Sequence, residues 1–339
     1  APQAQLAHDI NQGPSGSDPG HYVEMGGNLY FEGSDGIRGE ELWRTDGTNA
    51  TPVGDVNPGP AGASPSNLTA LGGHVYFAAT DGTHGRELWR TDGTTTELVA
   101  DVRPGSDGSS PSSLTVHDGA LYFAANDGAA GRELWRTDGA TTAMVRDINP
   151  GASDSNVGDL TSFGGQLYFR ANDGVAGNEL WRSDGTLAGT TLWANINPAA
   201  AHSNPNGLTV LDGQLYFSAA HAVIGTELWR TDGVGVVAPV ADINPGAANA
   251  NPNSLSAHGD HVYFRADDGV AGSEVWRANA GGAELVADVR AGADSSSPSS
   301  FVSLGGQVYF RANDGVHGSE LWRTGGSGAT LVADIEPGP

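Results

Sequence analysis

One stretch of eight residues, Glu87-Leu-Trp-Arg-Thr-Asp-Gly-Thr94, decides the fold, because close copies of it occur seven times along the chain. The tryptophans of successive copies lie 46, 46, 46, 48, 47 and 46 residues apart: Trp43, Trp89, Trp135, Trp181, Trp229, Trp276 and Trp322. Self-similarity with a period of about 40 to 50 residues is typical of propellers and solenoid arrays. The sequence therefore predicts an array of seven repeats.

Residues 66–102 show how one repeat is built. Four short apolar segments, which we name A to D, are separated by turns at Gly72-Gly73, at 81–85 and at Asp92-Gly93. Segment B, 74–80, is apolar on both faces, and no segment has helical periodicity. A sheet that is apolar on both faces needs neighbours on both sides, which radially stacked blades provide. We therefore predict an all-β fold, a seven-bladed β-propeller of four-stranded antiparallel blades, forming a single domain over residues 1–339.

The repeats leave one D segment in excess. We expect the seven units to begin near His21, Asn67, Ser113, Asp159, Gly207, Ser254 and Ser300. Residues 6–10 resemble a lone D strand, and residues 331–335 supply the D strand of the last unit. We expect the C-terminal segment to complete the seventh blade, because a short hairpin joins it to its own blade at little entropic cost.

Composition excludes several classes of partner. The chain has no lysine and no cysteine, and its 16 arginines stand against 40 acidic residues, which gives a net charge of −24. This field repels nucleic acids and anionic lipids, and the lack of cysteine excludes disulfides and thiolate metal sites. No apolar run is long enough to insert into a membrane. The start at Ala1-Pro2-Gln3 and the acidic composition lead us to expect a secreted or cell-surface protein.

The repeated Glu-Leu-Trp-Arg-Thr-Asp-Gly-Thr, followed by Leu-Val-Ala-Asp-Val and then by Pro-Gly and Ser-Pro, resembles the ELWxxDGT repeat family of secreted bacterial proteins. The resemblance covers nearly the whole chain. It implies an exported repeat array and no established activity, so it assigns no catalytic residue. The sequence departs from WD40, kelch and sialidase repeats.

Three carboxylates recur in the repeat and are the candidate metal ligands. One lies in the turn between B and C, one is the glutamate before Leu-Trp, and one ends segment D. Ca²⁺ is bound by six to eight oxygens from carboxylates and loop carbonyls, so these residues predict a Ca²⁺ site in each complete set. The sets are Asp35, Glu41 and Asp55; Asp81, Glu87 and Asp101; Asp127, Glu133 and Asp147; Asp268, Glu274 and Asp288; and Asp314, Glu320 and Asp334.

The same carboxylates also have a purely structural interpretation. An aspartate before glycine commonly bonds to the backbone of its own turn. Each glutamate could also form a salt bridge with an arginine of the next blade. Those arginines follow the seven tryptophans: Arg44, Arg90, Arg136, Arg182, Arg230, Arg277 and Arg323. We expect the tryptophans to pack between blades, with sugar stacking as the alternative.

The sequence carries no nucleophile elbow, P-loop or His-Glu-x-x-His motif. The fifth repeat diverges most in polar residues, around Trp193, His202 and His221. The residue after Tyr-Phe varies most among repeats: Glu32, Ala78, Ala124, Arg170, Ser218, Arg265 and Arg311. Such a position is either free to drift or selects a ligand.

Three functional hypotheses follow. The first is a secreted, non-enzymatic recognition or adhesion module that binds an extracellular glycan or protein through its loop face. The second is a hydrolase or lyase with its site at the central channel. The third is a structural protein of an envelope or matrix. The loop that carries the repeated carboxylates recurs in each blade. This repetition favours the first hypothesis, because several weak binding sites on one molecule gain affinity by avidity.

Overall fold

The computed structural model describes residues 8–198 and 201–335. These residues form 28 β-strands and no helix. None of them therefore belongs to a helix long and apolar enough to cross a membrane.

The strands of the first four sheets follow one another along the chain. The first sheet has β1 (Gly20–Met25), β2 (Asn28–Ser34), β3 (Glu40–Thr45) and β4 (Ala50–Pro52). The second has β5 (Ser66–Leu71), β6 (His74–Thr80), β7 (Arg86–Thr91) and β8 (Thr96–Ala100). The third has β9 (Ser112–His117), β10 (Ala120–Asn126), β11 (Arg132–Thr137) and β12 (Thr142–Arg146). The fourth has β13 (Gly158–Phe163), β14 (Gln166–Asn172), β15 (Asn178–Ser183) and β16 (Thr191–Ala194).

Three further sheets complete the array. The fifth has β17 (Asn206–Leu211), β18 (Gln214–His221), β19 (Gly225–Thr231) and β20 (Val237–Pro239). The sixth has β21 (Asn253–His258), β22 (His261–Asp267), β23 (Ser273–Asn279) and β24 (Gly282–Ala287). The seventh has β25 (Ser299–Leu304), β26 (Gln307–Asn313), β27 (Ser319–Thr324) and β28 (Thr330–Ala333).

Each sheet is a four-stranded antiparallel meander in which neighbours in sequence are neighbours in space. This architecture, with seven such sheets, confirms the seven-bladed β-propeller fold. Every blade begins one residue earlier than expected. The expected first residues, such as His21 and Asn67 with φ of 52° and 56°, occupy the second position of strand A, where the pairing with strand B is irregular.

The C-terminal D strand completes the seventh blade, as expected. In that blade Trp322 pairs with Leu331 and Arg323 with Thr330 across β27 and β28. The expected lone D strand at residues 6–10 is wrong for residues 8–10, which are not in a strand. Residues 6 and 7 lie outside the described part of the chain.

The chain divides into two compact units, and the division runs through the fourth blade. Unit 1 comprises Ala1–Ser162, Asn172–Gly174 and Asp184–Thr190, and it contains blades one to three. Unit 2 comprises Phe163–Ala171, Val175–Ser183 and Thr191–Pro339, and it contains blades five to seven. Within each unit, the A strands of consecutive blades lie against one another, as between β5 and β9 or β21 and β25. The single domain over residues 1–339 stays a prediction.

The core consists of apolar clusters between consecutive blades. In unit 1, Tyr76 and Leu88 of blade two pack with Leu121 and Phe123 of blade three, and Trp135 lies against this cluster. In unit 2, the same arrangement joins blades five and six and blades six and seven. The expected packing role of the repeat tryptophans is therefore confirmed: Trp43, Trp181, Trp229 and Trp276 are buried, and Trp89, Trp135 and Trp322 lie against buried clusters.

Candidate functional site

The turn between the second and third strands, which we call the B–C turn, has one conformation in most blades. In blade two, Oδ1 of Asp81 accepts hydrogen bonds of 2.8 Å from the backbone N–H groups of Thr83 and His84. Gly82, with φ of +76°, occupies a left-handed conformation that other residues rarely adopt. The same pair of bonds forms in four other blades, at Asp35, Asp127, Asp268 and Asp314.

The third residue of the B–C turn is exposed in every blade. It is a branched aliphatic residue in five of them, with exposed fractions from 64% to 76%, and we call these five side chains the aliphatic tips: Ile37, Val175, Val223, Val270 and Val316. Thr83 and Ala129 take this position in blades two and three. Blades four to seven therefore all present a valine.

The repeat glutamate is buried and fixes the connection from strand D to the next blade, which we call the D–A loop. In blade two, Glu87 is fully buried and accepts hydrogen bonds from the backbone N–H groups of Val102, Arg103 and Ser109 and from the Ser109 hydroxyl. The loop also bonds to blade three, where the Asn126 N–H donates to the Ser109 carbonyl at 3.0 Å. Glu87 therefore holds in place the segment that joins two blades.

In the described part of blades one to six, no repeat glutamate pairs with an arginine of the next blade, so the expected interblade salt bridge is wrong there. The glutamates accept bonds from loop backbone in the other blades as well: Glu41, Glu133, Glu179, Glu227, Glu274 and Glu320. The Nε of Arg90 instead donates to Glu97 of its own blade at 2.7 Å, and its Nη1 donates to the carbonyl of Gly139 in blade three at 2.8 Å. The arginine thus links blades through a carbonyl.

Burial raises the pKa of the repeat glutamates, because the charged form loses its hydration. The pKa reaches about 7 in Glu41, Glu133 and Glu227, although backbone N–H donors act to lower it. It is also raised in Glu87, Glu179 and Glu274, where a serine hydroxyl donates to the carboxylate and opposes the rise. In blade one that serine is replaced by Ala63.

The structure places the predicted calcium ligands in three different environments. Turn aspartates are half-buried and bonded to the turn, glutamates are buried and bonded to the D–A loop, and the aspartates that follow strand D are exposed: Asp55, Asp101, Asp147, Asp288 and Asp334. Leu88 pairs with Ala100, which brings Glu87 level with Asp101 as expected. Among the described residues, no three His, Asp or Glu side chains are grouped closely enough to hold a metal ion. The calcium sites stay a prediction.

A basic side chain lies beside the turn aspartate in three blades. Arg38 Nη1 lies 2.9 Å from Asp35 Oδ2, His84 Nδ1 lies 2.6 Å from Asp81 Oδ2, and His317 Nδ1 lies 2.7 Å from Asp314 Oδ2. The hydrogen bonds to these aspartates, followed by the charges of nearby acidic residues, raise the pKa of both histidines. In these three blades a basic side chain of the same turn therefore occupies one oxygen of the turn aspartate.

One arginine changes strands between repeats, and sequence reasoning missed this exchange. In blade two, Arg86 at the start of strand C donates to the Ser64 carbonyl at 2.8 Å, to the Ser66 hydroxyl at 2.6 Å and to the Ala78 carbonyl at 3.0 Å. Blades four, six and seven instead carry the arginine at the position of Ala78 on strand B: Arg170, Arg265 and Arg311. The signal was available, since the two positions lie eight residues apart in every repeat.

The divergent polar residues of blade five have separate structural partners. The indole Nε1 of Trp193 donates to the Thr231 hydroxyl at 3.2 Å, and the Arg182 guanidinium lies 4.1 Å from a ring centroid of Trp193. His202 Nδ1 accepts the N–H of Asn178 at 2.8 Å, and the ring of His221 packs on Trp229. This arrangement gives no support to a catalytic role for these residues.

No family model matches the chain, and no curated protein matches it in sequence. Solved structures match its fold. The computationally designed Ika8 protein matches 97% of this chain with 90% of its own, at 14% identity and a TM-score of 0.54. A prolyl endopeptidase matches 94% of this chain with 50% of its own, at 13% identity and a TM-score of 0.55.

A puromycin-hydrolyzing peptidase of Mycobacterium tuberculosis matches 95% of this chain with 54% of its own, at 11% identity and a TM-score of 0.53. The chain thus spans about half the length of these two peptidases. At such identities the similarity shows the fold alone.

Proposed function

We propose that this chain is a non-enzymatic recognition module that binds a protein ligand through the edge of the blades that carries the B–C turns. The observation that carries this proposal is the recurrence of the aliphatic tips. In blades four to seven, all four tips are valines with exposed fractions of 64% to 75%. Single exposed aliphatic residues are ordinary, but a set that recurs at the third position of the B–C turn in four successive blades is typical of a contact surface.

A protein ligand fits this surface better than a glycan does. Aliphatic side chains gain by packing against other apolar side chains, as at the cores of protein interfaces. Sugar binding by stacking would need exposed aromatic rings, and the repeat tryptophans are either buried or packed against the interblade clusters. The tips supply weak contacts whose number gives affinity.

We further propose that the protein is bacterial and acts outside the cell or at its surface, as a member of the ELWxxDGT repeat family with adhesion as its role. The acidic, lysine-free composition and the repeated motif support this. Calcium at the B–C edge is part of the same proposal. The hydrolase and the structural protein remain the alternatives, and the fold that the chain shares with two peptidases is compatible with the first of them.

The experiment compares the wild type with a variant in which Val175, Val223, Val270 and Val316 are changed to serine. Both proteins are screened against a random peptide display library and a glycan array, with and without Ca²⁺. We expect peptides to be enriched on the wild type and lost on the variant, which should melt like the wild type because the tips are exposed.

The matched control changes exposed aliphatic residues of the C–D hairpins, Leu187, Val234 and Val236, to serine, and it should keep the peptides. Glycans bound equally by the wild type and the tip variant would contradict the proposal. Turnover of peptide or ester substrates by the wild type would favour the hydrolase instead.

A further inference from the structure

Blades three and seven are preceded by nearly identical D–A loops. The loop before blade three carries Arg103, whose Nη2 lies 2.7 Å from Asp107 Oδ2. The loop before blade seven carries Arg290, whose Nη2 lies 3.1 Å from Asp294 Oδ2. Both arginines lie against the glycine of the following B–C turn, at Gly128 and at Gly315. The two regions therefore begin from the same local structure.

In blade three, an arginine of strand C fills the space beside this loop. Arg132 Nη2 donates to the Ser112 hydroxyl and, at 3.0 Å, to the carbonyl of Ala124, which is itself fully buried. Burial lowers the pKa of Arg132 without removing its charge. The N–H donors of the Arg132 guanidinium are thus hydrogen-bonded within blade three itself.

In blade seven, the exchange between strands leaves this space open. Ser319 takes the place of Arg132, and Arg311 takes the place of Ala124. A cavity of about 300 Å³ results, and its lining includes Arg290, Arg311, Ser297 and Ser319. Within residues 8–198 and 201–335, no hydrogen bond or ion pair holds the guanidinium of Arg311, which is exposed. Blade seven therefore presents two arginines to one polar cavity.

An unpaired arginine is unexpected in a chain with 40 acidic and 16 basic residues. The planar guanidinium offers N–H donors in a fork that matches a carboxylate, and the serine hydroxyls add further donors. The net charge of −24 repels polyanions, so a single anionic group on a ligand of low charge fits best. We propose that the cavity of blade seven binds one carboxylate group.

This inference deepens the proposed function and rests on it for the location of the ligand, because Asn313 and Ser319 of the cavity flank the B–C turn of blade seven. Blade six has only one of the two arginines of the proposed carboxylate site. Within the described residues, the guanidinium of Arg265 also has no hydrogen bond or ion pair, but Asn244 occupies the loop position where blade seven has Arg290. Only blade seven combines both arginines at equivalent positions.

The experiment follows the arginine Nε–Hε signals of the ¹⁵N-labelled chain by two-dimensional NMR, since 16 arginines and no lysine give a simple spectrum. N-acetylglycine is titrated at constant ionic strength, with N-acetylglycinamide as its neutral twin. D-galacturonate and D-galactose form a second pair, which tells a peptide carboxylate from a sugar carboxylate. We expect saturable shifts of the Arg290 and Arg311 signals with a carboxylate and none with its neutral twin.

The matched variant combines Arg311→Ala with Ser319→Arg and so installs the arrangement of blade three at unchanged net charge. It should fold and lose at least about tenfold in carboxylate affinity. Arg311→Gln, at an exposed position, provides the same test if the exchange impairs folding. The reverse exchange, Ala124→Arg with Arg132→Ser, should create a second site beside Arg103.

Equal shifts with chloride, shifts that never saturate, or undiminished affinity in both blade-seven variants would overturn the carboxylate site. The peptide screen with the tip variant is a separate measurement. Loss of the carboxylate site would leave the aliphatic tips standing, and failure of the peptide screen would leave the small-probe result intact.

Discussion

Blades three and seven share the repeat motif and the same strand pairing, but their side chains differ strongly in burial. Leu134 of blade three is 0% exposed, whereas its counterpart in blade seven, Leu321, is 37% exposed. Ala124 is fully buried, whereas Arg311 at the same position is exposed. The repeat sequence therefore specifies the strand and the face of the sheet on which a side chain lies. The segments packed against that face determine whether the side chain is buried in the core or exposed to solvent.

The largest expected difference between the two blades concerns the leucine. Leu134→Ala should lower the free energy of unfolding by about 2–5 kcal/mol, because it leaves a cavity in a fully buried site. Leu321→Ala should cost about 1–2 kcal/mol, because part of that side chain is already in water. Urea unfolding of both variants measures the difference. Equal losses would show that the two faces are packed alike.

A smaller difference is expected at the start of strand C. Arg132→Ala should destabilise the chain by about 1–3 kcal/mol, because the Ala124 carbonyl loses a donor in a buried site. Ser319→Ala in blade seven should change stability by no more than about 0.5 kcal/mol, since that hydroxyl is exposed. Thermal unfolding at one pH compares them. A costly Ser319→Ala would mean that the cavity of blade seven is already filled by structural bonds.

The pH dependence of stability should arise from different groups in the two blades. Desolvation raises the pKa of Glu133 from 4.5 to about 7. The unfolded chain therefore ionises this glutamate at lower pH than the folded chain does, and the free energy of unfolding falls as pH rises through this window. Glu133→Gln should match the wild type near pH 5 and exceed it at pH 8 by about 1 kcal/mol. Unfolding curves at both pH values test this. A variant less stable than the wild type at pH 8 would contradict it.

Blade seven adds a histidine to the same trend. The bond to Asp314 raises the pKa of His317 above 6.5, so its contribution is present below pH 6.5 and lost as pH rises through the raised value. His317→Ala should therefore reduce stability at pH 5 and leave it unchanged at pH 9.

At the acid end, Asp314 behaves in the opposite way. Partial burial opposes the shift, but bonds from His317 and Val316 lower its pKa to about 2, so its contribution is lost as pH falls below 3.8. We expect greatest stability of the wild type near pH 5. A maximum above pH 8 would contradict the assignments of both the glutamates and the histidine.

The smallest expected effect is that of calcium. A metal that binds only the folded chain must raise its melting temperature, and we predict a small rise in millimolar Ca²⁺ relative to EDTA, with less effect from Mg²⁺. The rise should be small because turn and loop N–H groups already occupy oxygens of the carboxylates. Glu87→Gln combined with Asp101→Asn should reduce it. Identical melting curves with Ca²⁺ and with EDTA would contradict the prediction that the folded chain binds Ca²⁺.

Much of the fold could be predicted from the sequence because its signals are local. The period between tryptophans gave seven blades, and Gly-Gly and Asp-Gly pairs gave the turns between strands. The packing of Trp135 followed from its place within an apolar strand, and the C-terminal strand followed from the short hairpin before it. Each of these inferences depends on residues that are close together in the chain.

The role of the glutamates depended on tertiary structure. Glu87 reads in sequence as a surface carboxylate, but its partners lie 15 to 22 residues further along the chain and are mostly backbone N–H groups. Every non-proline residue carries such a group, so composition gives no sign of which ones converge on a carboxylate. The same limit applies to the side chain of Arg132, whose acceptors lie on two other strands.

The sequence by itself determined the number of blades, the order of strands and the acidic, lysine-free surface, because periodicity, turn chemistry and charge are properties of the chain. Only the tertiary structure decided which carboxylates are buried and bonded to a loop. It also decided that Arg132 is hydrogen-bonded within its own blade, whereas Arg311 faces a cavity. The physical reason is that the hydration and the partners of a side chain depend on segments that are distant in sequence. The sequence of one repeat of about 46 residues does not specify which segments pack against it.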